Sequence, residues 1–130
     1  MARVKKKIAV SVGTAPNPTG PFNHAICYGN LVFTSGQAGR NRETGKMGDI
    51  ADQARRCIGN IAAILTAAGT SLEHVLKVTV FLRDPADRAA FNAVYEELMP
   101  RPYPARTAAF CELGFPDMLV EMDVIAAVPE

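Results

Sequence analysis

Apolar and polar residues follow two different periods along this chain, and the changes of period mark its elements. Residues 7–12 (Lys7-Ile8-Ala9-Val10-Ser11-Val12) read as a first strand. Pro16, Pro18 and the Gly20-Pro21 step then make residues 14–21 a shaped loop. Residues 24–28 and 31–37 read as two strands joined by a hairpin turn at Gly29-Asn30. Residues 40–48 are a polar loop. From residue 49 the period becomes helical: Ile50, Ala54, Cys57, Ile58, Ile61 and Leu65 form one apolar stripe. Asp49 suits the N-cap of this helix and Gly69 its end, while Arg55 and Arg56 fall on the far side and are assigned to solvent. Alternation returns over residues 73–83. Leu76, Val78, Val80 and Leu82 should point one way, and Val75, Lys77, Thr79 and Phe81 the other. Asp84-Pro85 opens a second helix with the stripe Phe91, Val94, Tyr95 and Leu98. Pro100, Pro102 and Pro104 end it and hold the approach to Arg106 extended.

Two strands close the chain. The first begins around Arg106 in Pro104-Ala105-Arg106-Thr107-Ala108-Ala109-Phe110, and the second is residues 119–126. Pairing as a hairpin would bring Arg106 near Glu121. In the last strand Val120, Met122, Val124 and Ala126 suit a place under the helices, which leaves Glu121 and Asp123 on the other face with Leu119 and Ile125. The order of elements predicts an α+β fold, a single domain over residues 1–130 with two helices on one face of a mixed sheet. By alternation the open face also carries Phe33, Val75 and Phe81. Such a face is not left in water, so assembly into a closed symmetric ring is expected.

Composition narrows the function classes. The chain has 130 residues, 48% of them apolar, enough for one core without disulfides. A formal charge of +1 argues against a nucleic-acid binder, and the cluster Arg3, Lys5, Lys6, Lys7 reads as a solvated end. No apolar run is long enough to span a membrane and no secretory signal opens the chain, so a cytoplasmic protein is expected. Cys27, Cys57 and Cys111 are an odd, widely spaced set that suits a reducing compartment; all three read as core. With only His24 and His74 besides, no metal site is expected.

The residue types with chemistry to offer are an arginine and two acids. The Arg106 guanidinium is a planar fork that matches a carboxylate, whether a small acid in a cleft or simply Glu121 in an ion pair. Glu121 can position a water, and Glu121 and Asp123 can equally be half-solvated acids at a subunit boundary.

The chain resembles the RidA (YjgF) family over nearly its whole length. The resemblance runs through Gly20-Pro21-Phe22-Asn23-His24-Ala25, then Gly29-Asn30-Leu31-Val32-Phe33-Thr34-Ser35-Gly36-Gln37 and Lys77-Val78-Thr79-Val80-Phe81-Leu82. It continues in Phe91-Asn92-Ala93-Val94-Tyr95 and Pro104-Ala105-Arg106, and closes on Val120-Glu121-Met122-Asp123. It implies a chorismate-mutase-like fold and a homotrimer with clefts between subunits. It also implies cofactor-independent hydrolysis of reactive 2-enamines and 2-imines, such as 2-aminoacrylate, to 2-oxo acids and ammonia. On that resemblance Arg106 binds the substrate carboxylate and Glu121 positions water. Phe22, Ser35, Gly36, Asn92 and the Ala108 carbonyl line the cleft. The partners implied are an imino or enamino acid and further copies of the chain, with no nucleic acid, membrane or metal.

Two departures stand out. The family's Gly-Pro-Tyr is Gly-Pro-Phe at Phe22, so a cleft hydroxyl is missing, and Ala108 replaces a cysteine common in RidA itself. The lost hydroxyl favours one rival reading, a trimer that binds small carboxylates without turnover. A relative acting on a larger imine is another. A third, RNA cleavage, is opposed by the charge and by the lack of a basic, aromatic stripe. His24, at the Phe22 loop, is assigned to a structural hydrogen bond or the cleft.

Overall fold

The computed structural model describes residues 5–41 and 43–130, so Arg3 of the basic cluster lies outside the described residues. The alternating segments become β1 (Ile8–Val10), β2 (Ala25–Tyr28), β3 (Leu31–Thr34), β4 (Gln37–Ala38), β5 (Val75–Leu82), β6 (Ala105–Phe110) and β7 (Val120–Ala127). The helical stripes become α1 (Ile50–Ala67) and α2 (Arg88–Leu98). The sheet order is β1-β2-β3-β7-β5-β6, with β4 also against β7. All pairs are antiparallel except β5 with β6.

The ends of α1 form as their residues dictate. The Asp49 carboxylate accepts from the Asp52 amide at 2.8 Å and Asp52 reaches back to the Asp49 amide, satisfying two donors the helix cannot pair itself. Gly69, at φ +87°, takes the left-handed conformation that ends the helix. Inside, Cys57, Ile58, Ile61, Ile64 and Leu65 pack on Val78, Val80, Met122 and Val124. Each such aliphatic side chain contributes roughly 1.5–3 kcal/mol by leaving water. Asp84 caps a single turn, Pro85–Asp87, that leads into α2.

Three expectations about faces are corrected. The register of β5 on β7 shifts between Val75 and Lys77, and this irregularity turns Val75 into the core and Leu76 out to 51% exposure, the reverse of simple alternation. Cys111 is exposed because it follows β6, the edge strand, which is itself exposed along nearly its whole length, whereas Cys27 and Cys57 are buried as expected. Arg56 is not left to solvent: it donates to the Gly39 carbonyl at 2.7 Å and to that of Met47.

The hairpin of the last two strands does not form. β6 lies parallel to β5, Arg106 beside Val78, while β7 runs along the other edge of β5, Glu121 beside Phe81. Strand, helix and strand from β5 through α2 to β6 make a crossover unit, which favours parallel neighbours. The chain then passes over the end of β5 to reach β7. Arg83, at that end, donates to the carbonyls of Met118 (2.9 Å), Leu113 (3.1 Å) and Phe115 (2.7 Å).

The same connection is tied to α1 by Gln53, a fully buried amide. Its Nε2 donates to Gly48 O (3.0 Å) and Asp117 O (2.9 Å), and its Oε1 accepts from the Leu119 amide (2.8 Å). Gln53→Leu keeps the volume but leaves two backbone carbonyls and one amide without their partner at a half-buried place. It is expected to cost roughly 1–3 kcal/mol, as polar groups left unpaired do, read as a lower urea midpoint. A loss below about 1 kcal/mol, the worth of one ordinary hydrogen bond, would show that these bonds are dispensable.

Candidate functional site

The expected site residues fall into two groups on opposite faces of the sheet. The first surrounds Glu121. Between β3 and β4 the ladder to β7 is broken at Ser35-Gly36, and the Thr34 hydroxyl fills the gap by accepting from the Val124 amide at 3.0 Å. Ser35 is drawn the other way, its amide to His24 O (2.9 Å) and its hydroxyl to Asn23 O. Gly36 is thereby laid across Glu121: a Cβ at Gly36 would lie 2.6 Å from Glu121 Oε1, so a larger residue would push that carboxylate aside. Glu121 and Gly36 open into a cavity of about 450 Å³ whose walls include Pro16, Phe22, Arg40 and Phe115. His24 also borders it but is buried and engaged. Its Nδ1 accepts from the Val12 amide (3.0 Å), so Nε2 carries the proton and donates to Pro16 O (2.8 Å). This ring is the peg that holds the proline loop.

The second group surrounds Arg106 on the helix side, at the free edge of the sheet. The guanidinium carbon lies 4.7 Å from the ring centre of Tyr95 and 5.9 Å from that of Phe91. The aromatic faces fix its plane and leave its donors pointing outward. Arg106 lines a cavity of about 270 Å³ with Asn92, Tyr95, Glu96, Tyr103 and Pro104. Two buried polar atoms here, Asn92 Oδ1 and Tyr95 OH, find no hydrogen-bond partner among the described residues. Buried polar atoms are rarely left so. Ala108 sits two residues on, exposed on the same edge strand.

The two groups cannot meet within one chain. Two strand spacings of ~4.8 Å and three residues of ~3.3 Å rise separate Arg106 from Glu121 by about 14 Å along the sheet, and their side chains leave opposite faces. Neither the expected closeness nor an Arg106–Glu121 ion pair is present. Among the described residues no three His, Cys, Asp or Glu side chains gather as a metal site requires.

The family model described as Endoribonuclease L-PSP matches residues 12–128. The chain belongs to the RidA (YjgF) family. It is 43% identical to a RutC family protein of Pyrococcus horikoshii over 92% of this chain and 97% of that one. A protein of Dermatophagoides farinae named 2-iminobutanoate/2-iminopropanoate deaminase is 39% identical over 78% of this chain and 80% of its own. The crystal structure of E. coli TdcF with bound serine superposes with a TM-score of 0.86 at 34% identity, covering 93% of this chain and 98% of that one.

Of the residues that the RidA resemblance implied, Phe22, Ser35, Gly36 and Glu121 share one side of the molecule, and Asn92, Arg106 and Ala108 the other. Tyr95, Arg40 and Phe115 were not foreseen as cavity residues. Tyr95 was counted as core, and Phe115 enters only because Arg83 arches the connection over the sheet.

The acids on the open face carry raised pKa values. Burial is the larger cause for Glu121 and the neighbouring Asp123 charge the second; for Asp123 the cause is burial. Both carboxyls therefore hold their protons to higher pH in the folded chain than in the unfolded one. The folded state binds more protons across that interval, so stability falls as pH rises from the ordinary carboxylate range through the raised values. Two results are expected: Glu121→Gln flattens this fall in a series of urea melts, and Asp123→Asn lowers the Glu121 midpoint in a carboxyl carbon NMR titration. An unmoved midpoint would show that the two acids do not interact.

Proposed function

We propose that this protein is a cofactor-independent deaminase of 2-imino acids and their enamine tautomers. It would work as a homotrimer of chorismate-mutase-like subunits, each site built from the Arg106 group of one subunit and the Glu121 group of the next. The observation that carries the proposal is the division itself. An anion-binding guanidinium and a water-positioning carboxylate stand on opposite faces, each in an open half-cavity. Between them lie a free edge strand, β6, and a sheet face with Phe33 40% and Tyr28 49% exposed. A neighbouring copy would cover this apolar surface and close the site together. The deaminase name of the Dermatophagoides relative supports the chemistry.

The reaction asks little of the protein. Arg106, held flat on Tyr95 and Phe91, takes the substrate carboxylate. Glu121 and the Ala108 carbonyl hold a water against the imine carbon, and Glu121, kept basic enough by its raised pKa, takes one of its protons. The new C–O bond gives a carbinolamine. Return of the proton to nitrogen, breakage of the C–N bond and loss of the hydroxyl proton release ammonia and the 2-oxo acid. Imines hydrolyse in water unaided, so positioning supplies most of the acceleration.

Phe22 favours one second reading, a trimer that binds 2-oxo or amino acids without turnover. Such a protein would be thermally stabilised by these acids while leaving imines intact.

Amino-acid oxidase would generate the imines and semicarbazide trap what survives. Wild type is expected to deplete the trapped product. Arg106→Ala should lose about one to two decades of kcat/KM, the worth of a charge-assisted bond, and Glu121→Gln should be inactive. Mixing these two variants through reversible dissociation should restore about a quarter of wild-type activity, because random assembly makes about one interface in four intact on both sides. No recovery in verified hybrids would overturn the shared site, and full activity of Arg106→Ala would overturn the role of that residue.

A further inference from the structure

The cavity beside Glu121 is larger than a short imino acid needs. At about 450 Å³ it is of the size that holds a drug-sized ligand, whereas an alanine-derived imine has only a few heavy atoms. If Glu121 holds water at the imine carbon and Arg106 of the neighbouring copy holds the carboxylate, the substrate's side chain takes the rest of this cavity. Its walls are mostly apolar, from Pro16, Pro18, Phe22, Phe115 and Met118, and among the described residues they carry one arginine, Arg40.

Arg40 is arranged as a recognition group. Its guanidinium carbon lies 5.4 Å from the ring centre of Phe115, and Nη1 donates to Gly45 O at 2.9 Å. The stack and this one bond fix the plane, and no other partner holds its remaining donors among the described residues. The turn next to it does not need Arg40: it is closed by Asn41 N to Lys46 O (2.8 Å), Gly45 N to Asn41 O (2.7 Å) and the Asn41 side chain on Glu43 N and Thr44 N. Among the described residues the cavity's other ionic group is Glu121, already assigned to water, and both His24 nitrogens are engaged.

We infer that Arg40 selects imino acids bearing a second carboxylate at the end of the side chain, so that 2-imino dicarboxylic acids are preferred substrates. A planar guanidinium with free donors, preorganised on an aromatic ring, matches a carboxylate in two hydrogen bonds. The inference rests on the deaminase reading and adds its substrate class.

The test compares imines made in situ from glutamate, methionine, phenylalanine and alanine, with wild type, Arg40→Gln and Arg40→Lys. Wild type should favour the glutamate imine over the methionine imine of similar length. Arg40→Gln should lower kcat/KM for the glutamate imine by about tenfold or more, the loss of one charge-assisted contact, chiefly through KM. The alanine imine should change by less than about twofold, which also shows that the variant folds and that the chemistry is intact. Arg40→Lys should recover part of the loss. Equal losses on glutamate and alanine imines, or a wild-type preference for the phenylalanine imine that survives Arg40→Gln, would overturn the inference. Should wild type hydrolyse no imine, the deaminase reading fails by itself, and the site is read by binding. Stronger thermal stabilisation by 2-oxoglutarate than by pyruvate, abolished in Arg40→Gln, then supports it; equal stabilisation overturns it.

Discussion

The position of Glu121 depends on how the backbone is carried over the end of β5. A chain that leaves β6 on one side of β5 and returns as β7 on the other must cross that end with carbonyls that no strand can pair. Arg83 collects three of them and Gln53 a fourth, together with the Leu119 amide. These two side chains fix where β7 begins, and the one-residue accuracy matters because strand faces alternate. A slip of one would put Glu121 into the core and Val120 into the cavity. They also hold Phe115 out as a wall of that cavity and, through its ring, set the plane of Arg40.

α1 extends the same logic to the other wall. Gln53, Arg56, Cys57 and Asn60 take the carbonyls of Gly48, Gly39, Gln37 and Ala38, and Arg56 that of Met47. Gly39 is pressed so close to Gln53 that a Cβ there would overlap the helix backbone. The short segment after Gly36 is thus held by helix side chains as well as by its two-residue pairing with β7. That allows the break at Ser35-Gly36 that opens space over Glu121. Cys57 belongs to this framework: its thiol is buried and its pKa is driven far up by that burial, so it donates to Gln37 O as a neutral group and has no nucleophilic use.

Much of this was legible in the sequence, and the failures have physical causes. Local signals located the helices, the caps, the β2–β3 hairpin and the faces of β7, because burial of one stripe or one alternating set is written into consecutive residues. The pairing of β6 was misread because a run of turn-like residues, Glu112 to Asp117, suggests a hairpin when taken alone. The signal that corrects it is longer in range: strand, helix and strand in succession favour parallel neighbours. Gln53, Arg56 and Arg83 were passed over because a count of apolar positions treats polar residues as surface, whereas their partners are carbonyls of distant loops. Arg106 and Glu121 stood out by residue type and strand face, and the RidA resemblance named the other candidate site residues. Their division between two faces was hidden, since no spacing along the chain tells which edge of β5 each strand will take.

Separating Arg106 from Glu121 has a chemical consequence. Opposite charges in direct contact would pair, whether from one chain or from two, and the guanidinium would then compete with substrate while the carboxylate lost basicity, so a shared site must hold them a substrate's length apart. Here each group develops its own environment. Arg106 is stacked on Tyr95, whose hydroxyl pKa burial raises and the arginine charge partly lowers, and Glu121 is kept weakly acidic by burial and Asp123. Substrate would then be what joins them, its carboxylate on one and its imine carbon against the water of the other. The same reasoning bears on Phe22. Its ring brings no hydroxyl to the cavity, so on the deaminase reading this residue would discriminate by shape, and charge would act further along the cavity, where Arg40 stands.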